Sequence, residues 1–186
     1  KVFGVAWVFV FLIIRDGIVV WVALLRVGYC RGGDFLMGGA RALAERNKQV
    51  LQLDLEGGPL EVNADPRMID RAVSELIHNA LKHSAEGGVV TVSLEKKDGT
   101  VELAVSDQGE GFDPEKLEQI FQPWEQVVQI QDRKIRSVGI GLANVKRYAE
   151  AHKGKVLADT SPGQGSTFRL VLPLLSEDEL GSEKGE

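Results

Sequence analysis

The chain is short of several things, and each shortage removes a class of protein. It has one cysteine, Cys30, in 186 residues, which leaves no internal disulfide framework and no cysteine-built zinc site. It has no surplus of positive charge, since 22 Lys+Arg face 27 Asp+Glu for a formal net charge of −5. Nucleic acid phosphates therefore feel no overall attraction, and only a local basic patch could bind them; no nucleic acid partner is expected. It also lacks the unbroken stretch of about 20 apolar residues that a membrane-crossing helix needs. Val2 to Ile14 is free of charge, but Arg15, Asp16 and Gly17 interrupt it before Ile18 to Leu25. Spanning would place Arg15 and Asp16 near mid-membrane, at about 2.5–3.5 kcal/mol each. No small-residue cleavage site follows, so a secretory signal fits poorly.

What is present reads as globular. The chain is 44% hydrophobic and 26% charged, which excludes a disordered or collagen-like chain and suits one domain with a short appendage. The appendage is residues 1–39. Asp16-Gly17 flanked by Ile13, Ile14, Ile18, Val19 and Val20 is a hairpin signal. A buried hairpin or domain edge is the leading reading, ahead of a membrane segment and of an artefact of where the chain was cut. The first residue is Lys, not Met, so a fragment or processed chain is expected. At the other end, residues 176–186 are expected to be a disordered acidic tail.

Between these lies a regular succession of elements. Ala40 to Gln49 reads as a short helix, Val50 to Leu55 as an alternating strand, and Leu60 to Asn63 as a brief one. Asp65-Pro66 is a helix start, with Asp as cap and Pro in the first turn. Met68, Ile69, Ala72, Val73, Leu76, Ile77, Ala80 and Leu81 then keep a 3.6-residue period up to Ser84. Val89 to Glu95 and Thr100 to Ser106 form a hairpin, and Pro114 to Ile120 a short helix. Glu125 to Val138 is a long polar loop. A helix runs from Gly139-Ile140-Gly141 to about His152, and Lys155 to Thr160 pairs with Ser166 to Leu172.

Three stretches carry chemistry. On the Pro66 helix, Glu75, Asn79, Lys82 and His83 gather along one flank of an already complete apolar stripe. An acid, an amide, an ammonium and an imidazole there suit a metal-phosphate site, although on its own this helix reads first as a solvated face. Next, Asp107-Gln108-Gly109-Glu110-Gly111 puts a carboxylate at a strand end, followed by glycines that let the backbone pass close to a ligand. A purine amine there could be bound by Asp107; the plain alternative is a glycine-rich turn. Third, Gly139-Ile140-Gly141-Leu142 opens a helix after a loop holding Arg133, Lys134 and Arg136, which suits an anion site; the plain alternative is a capped helix start. It is neither a dinucleotide fingerprint nor a Walker A sequence.

In this order and spacing the three stretches resemble the ATP-binding catalytic domain of sensor histidine kinases, within the Bergerat-fold ATPases that include gyrase, Hsp90 and MutL. Glu75 to Ser84 looks like the N box and Asp107 to Gly111 like the G1 box. Ile120-Phe121-Gln122-Pro123-Trp124 looks like the F box, and Gly139 to Val145 like the G2 box. Gly165 to Phe168 resembles the closing strand. The resemblance covers about residues 40–175. It implies an α/β fold, a two-layer sandwich of a mixed β-sheet and about three helices, binding ATP and Mg²⁺. Asn79 would hold the Mg²⁺, Lys82 would meet phosphate, and Glu75 would act as base or water organiser. Arg133 or Arg136 would stabilise transferred charge from the loop, which becomes the ATP lid. Asp107 would read adenine, with Gly109, Gly111, Phe121, Gly139, Gly141 and Leu142 around the nucleotide and Thr167 supporting the adenine pocket. His83 stands where the family often has Tyr.

The resemblance is incomplete. Of the three histidines, His78 and His83 lie in the N box and His152 ends the last helix, and none has the acceptor context of the family. The expected function is therefore γ-phosphoryl transfer from Mg-ATP to a histidine on a separate dimerisation domain, and thence to a response regulator. Autophosphorylation of this chain is not expected. An anti-sigma-type serine kinase and a gyrase- or Hsp90-like ATPase are the alternatives. The expected place is the cytoplasm, with membrane attachment through a longer parent left open.

Overall fold

A computed structural model of the protein describes residues 10–14, 18–22, 34–55, 60–124 and 139–174. The expected lid, including Arg133 and Arg136, lies outside the described residues, as does the acidic tail.

The longest helix shows why the domain assembles. Helix α2, Pro66–His83, starts as its sequence demands: Asp65 Oδ1 accepts from the backbone N–H of Arg67 at 2.8 Å and of Met68 at 3.4 Å, with Pro66 in the first turn. Its apolar stripe is fully inside, with Ala72, Leu76, Ile77, Ala80 and Leu81 all buried. Each large side chain so buried contributes about 1.5–3 kcal/mol. Met68, expected in that stripe, is exposed. At the other end Gln49 Nε2 donates to the carbonyls of Leu81 at 2.9 Å and Ser84 at 2.7 Å, satisfying acceptors that a helix C-terminus leaves open.

The stripe packs on a five-stranded mixed sheet. Strands β3 (Val50–Leu55), β5 (Val89–Lys97), β6 (Thr100–Asp107), β7 (Lys155–Ser161) and β8 (Gly165–Pro173) lie in the order β3-β5-β6-β8-β7. β3 and β5 are parallel; the other neighbours are antiparallel. β5 and β6 turn on Asp98 and Gly99, both at positive φ, as a two-residue hairpin turn requires. The period-2 alternation puts Val90, Val92, Leu94, Val101, Val105, Phe168, Leu170 and Leu172 on the helix-covered face. This is the two-layer α/β sandwich the resemblance implied.

Helix α4, Gly141–Ala151, lies beside α2. It begins against Glu75 and ends where the backbone N–H of Asp65 donates to His152 Nε2 at 2.8 Å, so it runs back along α2. Helix α1, Asp34–Arg46, begins earlier than the expected Ala40, and a 3₁₀ turn at Pro114–Lys116 leads into helix α3, Leu117–Ile120. Strands β1 (Val10–Ile14) and β2 (Ile18–Val22) are antiparallel, and β1 pairs in parallel with β4 (Leu60–Glu61). The described part of the apolar opening is thus strand, joined to the main body where Val62 bridges Leu174. No helix among the described residues is long and apolar enough to cross a membrane.

Candidate active site

The site forms where α2, the end of β6 and the start of α4 converge. Glu75, Asn79, Lys82 and His83 are half-buried on one flank of α2. Gly141, the first residue of α4, presses on Glu75, and a Cβ there would run into Oε2. This close approach delivers the α4 N-terminus, with its partial positive charge, to the carboxylate of α2. Burial lowers the pKa of Lys82. His83 is lowered too, first by burial and then by the Lys82 charge, with Glu110 pulling the other way. The His83 Nδ1 to Glu110 Oε1 distance is 3.8 Å.

Asp107 ends β6 with 7% exposure. Burial raises its pKa, partly offset by backbone N–H donation from Gly109 and Ser166; the Gly109 bond to Oδ1 is 2.8 Å. Gly109 is fixed by sterics as well, since a Cβ there would collide with the carbonyl oxygen of His83. The loop after β6 can therefore lie directly on the C-terminal turn of α2. Gly111 rests against the Ser161 carbonyl of the β7–β8 turn. One buried carboxylate is held between two walls, and α2 supplies the polar flank of one of them.

Three other expected residues make contacts with the sheet and the core. Thr167 pairs with Ser106 in register and its Oγ1 lies 2.9 Å from Ser106 Oγ. That is the sheet face opposite Asp107. Ser166 is the register partner of Asp107, its Oγ 3.2 Å from Thr160 Oγ1, which accepts from the Phe112 N–H at 3.0 Å. The signal was available: Ser166 shares strand parity with Phe168, Leu170 and Leu172, the core residues. Phe121, expected at the nucleotide, turns its ring edge-on to Phe168 at 6.4 Å. Leu142 also packs against the core. Gly139 accepts at its carbonyl from the Trp124 N–H at 2.8 Å, which ties together the chain on either side of residues 125–138.

Among the described residues no group of three His, Cys, Asp or Glu side chains could hold a metal by itself. Asn79 offers one amide oxygen, which suits a Mg²⁺ that would arrive already carried by phosphates.

A buried carboxylate, a polar helix flank and a second helix N-terminus thus meet in one site. Comparison with known proteins places it further. Residues 64–176 match the family described as histidine kinase-, DNA gyrase B-, and HSP90-like ATPase, and the chain belongs to that family. It is 40% identical over 121 residues to histidine protein kinase DivJ of Caulobacter vibrioides, covering 65% of this chain and 20% of that protein. It is 35% identical over 127 residues to the sensor-like histidine kinase SenX3 of Mycobacterium tuberculosis, covering 68% of this chain and 31% of that one. Among solved structures, the mycobacterial sensor histidine kinase MprB matches with TM-score 0.65 and 26% identity, over 76% of this chain and 94% of that one. The chain thus spans a fifth to a third of the length of these curated relatives.

Proposed function

We propose that the chain is the ATP-binding catalytic domain of a two-component sensor histidine kinase, which passes the γ-phosphoryl group of Mg-ATP to a histidine on a separate dimerisation domain. The observation that carries this reading is Asp107, a buried carboxylate held by the Gly109 and Ser166 N–H groups at the end of the site. An adenine amine would donate to it. Placed so, the nucleotide runs its phosphates along α2 past Lys82 and Asn79 toward Glu75. Lys82 neutralises phosphate charge, Asn79 supplies an amide oxygen to Mg²⁺, and Arg133 or Arg136 adds charge from the lid.

The chemistry is positioning and charge stabilisation. A neutral imidazole nitrogen of the acceptor forms the N–P bond as the bond from Pγ to the bridging oxygen breaks. ADP leaves with that electron pair, and Glu75 accepts the proton from the other ring nitrogen. A response regulator then takes the phosphoryl group onward. The working compartment is the cytoplasm, where Mg-ATP is available.

The test uses Mg-ATP labelled on the γ-phosphate, with a histidine-bearing helical hairpin supplied as a separate polypeptide. The expected result is acid-labile label on the hairpin and none on this chain. Acid-stable phosphoserine on a protein substrate would indicate the serine-kinase alternative, and rapid steady-state hydrolysis the gyrase- or Hsp90-like one.

A further inference from the structure

His152 closes helix α4 and has no part in the site described above, yet both of its ring nitrogens are engaged. The backbone N–H of Asp65 donates to Nε2 at 2.8 Å, and Nδ1 lies 2.6 Å from the carbonyl oxygen of Tyr148. An amide N–H can only donate, so Nε2 is the acceptor; Nδ1 then carries the proton and donates to the Tyr148 carbonyl. The ring therefore joins the end of α4 to Asp65, the residue that caps α2. Three residues further on the chain enters β7, where Lys155 is paired with Val171 of β8. This end of α4 is held on two sides.

The other end of α4 is the one that meets the phosphates on the ATP reading. It has no side-chain cap, so its first N–H groups stay open to an anion. It meets α2 where Gly141 presses on Glu75. Ten residues separate Asp65 from Glu75 and eleven separate Gly141 from His152, about 15 and 17 Å of helix. The two contacts thus sit at opposite ends of one antiparallel helix pair. Between them Arg71, Ser74, Glu75, Asn144 and Tyr148 border a cavity of about 250 Å³. Interdigitated side chains would lock one helix along another, and in that stretch they do not close up. His152 supplies a directional bond at a fixed point instead.

We infer that His152 is a positioning residue for the nucleotide's phosphates: its bond to Asp65 fixes the register of α4 on α2, and with it the place where the open N–H groups of α4 face the phosphate chain. This rests on the ATP-binding reading above. His152 stands the length of α4 away from Gly141 and acts through the helix, which shifts as a rigid element. Without the bond α4 slides or tilts along the cavity, and the displacement is felt at Gly141. Asp107 belongs to β6, so the adenine end of the site keeps its place.

The experiment measures the affinity of the full chain for Mg-ATP and for adenosine, each by competition with a fluorescent nucleotide, in the wild type, His152→Asn and His152→Gln. The Asn amide sits at the level of Nδ1 and keeps the Tyr148 partner, but it is too short to reach Asp65. The Gln amide oxygen reaches the level of Nε2 and can accept from the Asp65 N–H. His152→Asn is expected to weaken Mg-ATP binding by about two- to tenfold, the worth of one neutral hydrogen bond, and to leave adenosine binding unchanged. His152→Gln should bind both as the wild type does. A merely structural role would lower the folded population and weaken both ligands by one factor. Equal losses for Mg-ATP and adenosine, an unchanged Mg-ATP affinity in His152→Asn, or a Gln variant as impaired as the Asn variant overturns the inference and leaves the ATP reading standing. A wild type that binds neither ligand overturns both.

Discussion

Asp107 carries two opposed demands, and they can be separated. Folding must bury a carboxylate, and burial raises its pKa despite two N–H donors. The folded state therefore holds that proton more tightly than the unfolded chain does. The charge costs stability at neutral pH, and the cost is relieved as pH falls toward the folded pKa. Binding needs the same charge to accept from the adenine amine. Asp107→Asn should thus unfold no earlier than wild type at pH 7 in thermal melts, while Mg-ATP affinity falls by about 10- to 150-fold, the worth of a hydrogen bond to a charged group. Equal losses of stability and affinity would show that the carboxylate is structural. His83 works in the other direction. Burial and Lys82 lower its pKa from 6.5, so below about pH 6.5 the unfolded chain binds a proton that the folded chain resists. Stability from this residue is present above that pH and is lost as pH falls through the window. Urea titrations from pH 7.5 to 5 should show a shallower acid loss for His83→Gln than for wild type; identical slopes would remove His83 as the cause.

At the scale of elements, α2, α4 and the loop after β6 meet through glycines, and what a glycine faces decides what its loss does. At Gly141 the obstacle to a Cβ is the end of the Glu75 side chain, which can swing aside; at Gly109 it is the backbone carbonyl of His83, which cannot. Gly141→Ala should therefore keep or gain stability, up to about 1 kcal/mol from helix propensity, yet slow phosphoryl transfer by displacing Glu75. Gly109→Ala should lose about 1–3 kcal/mol, the usual cost of overpacking. Chemical denaturation beside a transfer assay separates the two, and equal destabilisation would refute the distinction. This contact logic was not legible in the sequence, although the elements largely were. Asp65-Pro66 and the 3.6-residue stripe marked α2 because capping and periodicity act locally. Asp107 and Asn79 stood out because their chemistry sits in short motifs. The helix at Asp34 was missed because Gly38 and Gly39 look like a break, and tertiary packing of α1 on α2 and β3 overrides that local cost. Thr167 was taken from the family resemblance, without weighing the strand parity that puts Ser166 opposite Asp107. Sheet order depends on pairings far apart in the chain, such as β3 with β5, which no local pattern encodes.

For the molecule as a whole, the question is whether the apolar opening belongs to the ATP site or only to its scaffold. The family match begins at residue 64, and the described residues that form the site lie between Glu75 and Ser166. The opening touches this body through β4, which pairs with β1, and through the bridge from Val62 to Leu174 at the end of β8. That junction is at the opposite end of β8 from Ser166, the partner of Asp107. Effects at sites this far apart, with no shared contacts, add nearly independently. Removing residues 1–33 should therefore leave Mg-ATP affinity within about twofold of the full chain, the usual limit of such independence, while lowering the melting temperature because β4 loses its neighbour. The loss should disappear from the difference between melts with and without Mg-ATP, since saturating ligand adds the same increment, about 2.7 kcal/mol at a hundredfold excess over Kd, to any fold that keeps the site. A truncated chain that melts lower but shows the same nucleotide-induced increment establishes the opening as scaffold. A truncated chain that no longer responds to nucleotide would make residues 1–33 part of the ATP site.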